Sequence, residues 1–92
     1  MRLLFAFGFT FLMMGCAMKP PVQEMAEARA AVAAARELPD KGEASETMDK
    51  AESSLKDAAA AMEGNHYERA RRKALEAKRE AQRAARIKQQ TE

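Results

Sequence analysis

Apolar residues along this chain recur with the period of a helix, in three separate stretches. In the first, Val22, Met25, Ala28, Val32, Ala35 and Leu38 follow one another at steps of three and four, a modest stripe. In the second, Ala44, Met48, Ala51, Leu55, Ala58 and Met62 alternate steps of four and three. In the third, Tyr67, Ala70, Ala74, Ala77, Ala81 and Ala84 do the same, with Leu75 and Ile87 on the flank. Breakers fall at Leu38-Pro39-Asp40-Lys41-Gly42 and at Gly64-Asn65. Asp40 with Glu43, and Asn65 with Glu68, have the spacing of capping boxes and place two helix starts beside them. Three helices are predicted, at about 22–38, 41–63 and 66–89, within a helical domain over 22–92. The fold class is all-α: an Ala-rich antiparallel hairpin with an additional N-terminal helix, without strand signals.

Composition shows how thin that domain is. Of 92 residues, 47% are hydrophobic, but Ala supplies much of the figure. Beyond Met18 the bulky apolar and aromatic residues are Val22, Met25, Val32, Leu38, Met48, Leu55, Met62, Tyr67, Leu75 and Ile87. So small a set for three helices favours a partner or a homo-oligomer as a source of stability. One Cys and one His exclude a disulfide framework and a zinc site of clustered Cys and His. Charge is split along the chain: residues 20–64 hold five basic and ten acidic side chains, residues 65–92 nine and four. An acidic helix beside a basic one is the expected pairing.

The start of the chain has a different character. Arg2 precedes an apolar run from Leu3 to Met14, followed by Gly15 and the single cysteine, Cys16. As a helix the run would span ~18 Å, short of the ~30 Å hydrocarbon core, which reads as a secretory signal rather than a permanent span. Residues 1–16 resemble a bacterial lipoprotein signal peptide ending in a lipobox. Gly15 and Cys16 match the pattern, while Met13 and Met14 replace its preferred Leu and small residue. The resemblance implies a signal peptide over 1–15, cleavage between Gly15 and Cys16, and lipid (diacylglycerol and an acyl chain such as palmitate) on Cys16. Ala17, rather than Asp, after the cysteine implies sorting to the periplasmic face of the outer membrane. Residues 16–21 become a lipidated tether stiffened by Pro20 and Pro21. The alternative is a free cysteine behind an ordinary signal or an anchor helix.

Two further resemblances concern the helices. The run Gly64-Asn65-His66-Tyr67-Glu68-Arg69-Ala70 is similar to the turn of tetratricopeptide-like hairpins, Gly-x-Tyr-x-x-Ala, with one extra residue. The chain has no 34-residue period, which excludes a repeat array. The whole layout of lipobox, Pro-containing tether, Ala-rich hairpin and Gly-Asn turn before a basic helix resembles the small bacterial lipoproteins of domain-of-unknown-function family 4398. That resemblance implies a fold and a location, and no established activity.

Candidate chemistry is sparse. His66 has only Glu63 and Glu68 nearby in sequence, too few for a metal site, and reads as a solvent-facing turn residue. Ser45, Thr47, Ser53 and Ser54 have no partner base, and the carboxylate pairs Glu43/Glu46 and Asp49/Glu52 have the spacing of a solvated helix face. The expectation is a protein that is not an enzyme, with no cofactor besides the covalent lipid, no metal and no small-molecule substrate. The basic run Arg69-Ala70-Arg71-Arg72-Lys73 continues through Lys78, Arg79, Arg83, Arg86 and Lys88. Arg69, Arg71, Arg72, Lys73, Arg79 and Arg83 are candidate contacts for an anion or a partner. A signal peptide argues against nucleic acid, leaving anionic envelope components or pairing with the acidic second helix.

The reading is a membrane-anchored periplasmic lipoprotein, a structural or adaptor module of the cell envelope with an envelope protein or a second copy as partner. One alternative is non-covalent binding of peptidoglycan or another anionic envelope polymer by the third helix. The abundant coiled-coil lipoprotein of enteric bacteria joins peptidoglycan through a C-terminal Lys. The run Lys88-Gln89-Gln90-Thr91-Glu92 has no Lys in that place, which does not support covalent attachment. A further alternative is a small membrane-active peptide of the entericidin kind, against which the weak apolar face counts.

Overall fold

The computed structural model of the chain describes residues 19–39 and 42–90. They form three helices, α1 (Val22–Glu37), α2 (Ser45–Glu63) and α3 (Tyr67–Gln90), with no strand among the described residues. The domain is all-α, as the three stripes predict. α2 and α3 make the antiparallel hairpin, and α1 lies along it. Glu24 meets Arg71 near the starts of α1 and α3, and Ala35 meets Lys88 near their ends, so these two helices run parallel. The course is up, down and up, which puts the start of α1 at the same end as the turn between α2 and α3.

The helix boundaries follow from local chemistry. Pro21 supplies the carbonyl for the Met25 amide at 3.0 Å, a role its missing N–H does not hinder. α1 stops because Leu38 precedes Pro39 and is held extended, at ψ 140°. Gly42 then turns the chain with φ +99°, a conformation that needs glycine.

α2 starts at Ser45 rather than near 41, and the expected capping box is not made: Ala44 occupies the N-cap without a side-chain hydrogen bond. Asp40 lies outside the described residues. Asn65 also differs from expectation. It adopts φ +61° and closes the end of α2, with its amide on Met62 O (3.1 Å) and that of His66 on Ala61 O (2.8 Å). This is a Schellman closure with Asn in the left-handed position that glycine usually takes. Its Oδ1 accepts from the Tyr67 hydroxyl at 3.0 Å, and α3 opens instead on the His66 carbonyl, to which Ala70 donates. Glu68, the other half of the expected box, pairs with Arg71.

Among the described residues, and apart from Pro21, fourteen apolar residues are buried; eleven of them are alanines and the others are Met25, Val32 and Met48. Ala at a helix seam lets backbones approach closely while burying little area per residue, so the core is close-fitting but shallow. α3 sits against both other helices and presents one stripe to them, Ala70, Ala74, Ala77, Ala81, Ala84 and Lys88. The core forms two clusters. Val32, Met48 and Ala81 mark one, Met25, Ala58 and Ala74 the other, and Leu55 packs against both. Val22 departs from its predicted place: it is 64% exposed, whereas Pro21 is buried. Counted back from Met25 by four, Pro21 falls on the buried face of α1; Val22 lies ~100° further round. On α2 the most buried positions include Ser54 and Ala61, while the larger Leu55 and Met62 are half-buried beside them.

Candidate functional site

α3 carries nine cationic side chains, and their phase around the helix sorts them into two groups. Those near the alanine stripe serve the fold. Lys88 continues the stripe four residues after Ala84 and is only 6% exposed. Its Nζ donates to the carbonyls of Ala35 at 2.8 Å and Leu38 at 3.1 Å. A buried cation thereby closes the C-terminal end of α1, where the helix dipole is negative and Ala35 O also accepts from the Leu38 amide at 3.3 Å. At the other end, Arg71 donates from Nε to Glu24 at 3.1 Å and from Nη1 to Glu68 at 3.0 Å. Glu24 is held below the usual carboxylate range, first by its own backbone amide in the opening turn of α1 and then by Arg71. The Arg71 guanidinium is raised in return, chiefly by the hydrogen bond it donates to Glu24. Lys78 pairs with Glu27 at 3.6 Å, and Lys73 pairs with Glu76 along α3 at 3.4 Å.

The expected charge pairing is therefore made with a different partner. Arg71 and Lys78 reach across to the acidic residues of α1 rather than α2. α1 and α2 are joined by Arg36 and Glu52, 2.6 Å apart.

The far side of α3 carries Arg72, Arg79, Arg83 and Arg86, at steps of seven, four and three. That spacing confines them to an arc of ~60° and a length of ~21 Å. All four are exposed. None makes an ion pair or a side-chain hydrogen bond among the described residues. Arg69 is exposed as well, but lies round the helix towards α2, where it lines a small cleft with Asp57 and His66. Of the six contact residues expected from sequence, the structure gathers Arg72, Arg79 and Arg83 into one ridge. Arg69 lies beside the ridge, and Arg71 and Lys73 are engaged within the chain. Arg86 joins the ridge from outside that set, and its signal is the step of three from Arg83. Gly15 and Cys16 lie outside the described residues.

A groove between α2 and α3 runs beside the ridge. Glu76 and Glu80 of α3 face Glu46, Asp49 and Asp57 of α2 across it, with Lys50 and Lys73 among them. Asp49, Asp57 and Glu80 form no ion pair among the described residues. Ridge and groove form two parallel strips of opposite sign on one surface. His66 is exposed in the turn. Among the described residues, no group of three or more His, Cys, Asp or Glu is placed to hold a metal ion, and no helix is long and apolar enough to cross a membrane.

Residues 23–92 of the chain match a family model described as Domain of unknown function (DUF4398). The chain belongs to that family. No curated protein and no solved structure matches it. The match begins in the first turn of α1 and takes in all three helices, so the alanine seam, the Lys88 closure and the arginine ridge all lie inside the DUF4398 domain.

Proposed function

We propose that this DUF4398 protein is a non-enzymatic lipoprotein of the bacterial cell envelope, a structural or adaptor module held by lipid on Cys16 at the periplasmic face of the outer membrane. The observation that carries the adaptor role is the ridge of Arg72, Arg79, Arg83 and Arg86. Four guanidinium groups in a row, exposed and unpaired among the described residues, make a contact surface for negative charge, while the other face of the same helix holds the fold. The anchor rests on the lipobox resemblance at Gly15 and Cys16. The same ridge favours a second reading, non-covalent binding of an anionic envelope polymer.

The anchor is tested by the intact mass of the protein extracted from membranes of a Gram-negative host. Loss of residues 1–15 with a lipid adduct, both absent from Cys16→Ala, is the expected result. An unmodified chain retaining residues 1–15 would overturn it. The adaptor role is tested by incubating the membrane-extracted protein with purified peptidoglycan and with envelope extract. Substituting the four ridge arginines by Gln is expected to release what the wild type retains; equal retention by both proteins would contradict the role.

A further inference from the structure

We propose that the arginine ridge is occupied by a second copy of this chain, in a parallel dimer whose two-fold axis runs along α3. The proposal rests on the reading of the ridge as a contact surface and names its partner.

The ridge and the acidic groove lie side by side on one surface of the molecule. A two-fold axis parallel to α3, placed between them, lays the ridge of each copy over the groove of the other, so both contacts form at once. Such an axis moves no residue along the helix. The α3 residues lining the groove run from Lys73 to Glu80, the same height as the ridge between Arg72 and Arg83. Because α2 is antiparallel to α3, Asp57 stands near the level of Arg72, and Asp49 near that of Arg79 and Arg83. Arg72, Arg79 and Arg83 thus each lie near the height of an unpaired carboxylate, Asp57, Asp49 or Glu80.

The parallel arrangement also keeps both α1 starts at one end, as two copies anchored in one membrane require. The chain already docks a helix on α3 with this chemistry, through Glu24 with Arg71 and Glu27 with Lys78. Exposed ion pairs are individually weak, but confinement of both copies to one membrane raises their effective concentration.

The test is amine crosslinking of the full membrane-extracted chain, reconstituted at low density in vesicles of zwitterionic lipid. Three proteins are compared: wild type, Arg79→Glu/Arg83→Glu, and Asp49→Arg/Asp57→Arg, each checked for unchanged helicity by circular dichroism. The first variant has two acidic strips and the second two basic strips. Each alone is expected to give about tenfold less dimer than wild type, since like charges then face each other. An equimolar mixture restores the dimer, because each half of the mixed pair is again complementary. Absence of a wild-type dimer, indifference to the swaps, or no recovery in the mixture would overturn the proposal. A separate arm adds phosphatidylglycerol vesicles or soluble polyphosphate to the monomeric protein. Capture that depends on Arg79 and Arg83, without a dimer, assigns the ridge to a polyanion and leaves it a contact surface. Neither capture nor dimer removes both readings.

Discussion

Arg86 and Lys88 stand two positions apart on α3 and face nearly opposite ways. Lys88 is buried and bonded to the last carbonyls of α1; Arg86 is exposed and joins a row of arginines with no partner among the described residues. Both are basic side chains near the end of one helix, and a count of charges treats them alike. Phase separates them. Lys88 falls on the line of Ala84 and Ala81, so its ammonium is carried to the seam; Arg86 falls on the line of Arg83 and Arg79, so its guanidinium stays in water. Cations on the seam side trade charge for fold stability, and those on the outer side are left for an external partner.

Breaking the seam side should have the largest effect. Lys88→Met keeps the apolar stem but removes the ammonium, which takes its donor from Leu38 O and leaves Ala35 O the longer bond from the Leu38 amide. The expected loss is about 3 kcal/mol, or about 10–20 °C in the melting temperature of so small a domain. A melting curve within a few degrees of wild type would show that the Lys88 closure is incidental. A smaller effect is expected at Gly42, whose left-handed φ strains any side chain. Gly42→Ala should cost about 1 kcal/mol by denaturant titration, and a neutral result would mean that the turn relaxes without loss.

The Glu24–Arg71 pair sharpens the comparison through pH. The pKa of Glu24 is depressed in the folded state, so its contribution is complete above the ordinary carboxylate range and is lost as pH falls through the lowered value. Arg71 is raised from an already high value and stays protonated throughout. Melting temperature between about pH 5 and about pH 3 should therefore fall less steeply in Glu24→Gln than in wild type. Identical slopes would remove Glu24 from the account.

Much of the fold is legible in the sequence, and the departures have physical causes. The stripe Ala70, Ala74, Ala77, Ala81 and Ala84 is found where its spacing predicts it, because on a long helix without breakers the period alone determines the face. Lys88 extends that stripe by one more step of four, but a lysine on a seam is normally a poor expectation, and only the unsatisfied end of α1 makes it favourable. Val22 leaves the predicted face because steps of three alone drift off it: each advances ~300°, and Pro21 fits the phase better. Asn65 suits both an N-cap and the left-handed position, so its sequence context points as readily to the start of α3 as to the end of α2. The carbonyls at the end of α2 decide for the latter. The ridge is half legible: the basic residues are evident, but which of them the fold consumes depends on where α1 docks, and that is a tertiary fact.

The most direct test of the division on α3 is the thermal unfolding of Arg72→Gln/Arg79→Gln/Arg83→Gln/Arg86→Gln, followed by circular dichroism on the full chain in dilute detergent solution. Four exposed side chains without partners among the described residues should together leave the stability of the monomer within about 1 kcal/mol of wild type, since single surface substitutions shift it by at most about 0.5 kcal/mol in either direction. The expected result is a melting temperature close to wild type and well above that of Lys88→Met. A fall as large as that caused by Lys88→Met would mean that the ridge arginines hold the fold after all, and the separation of inner and outer cations would fail.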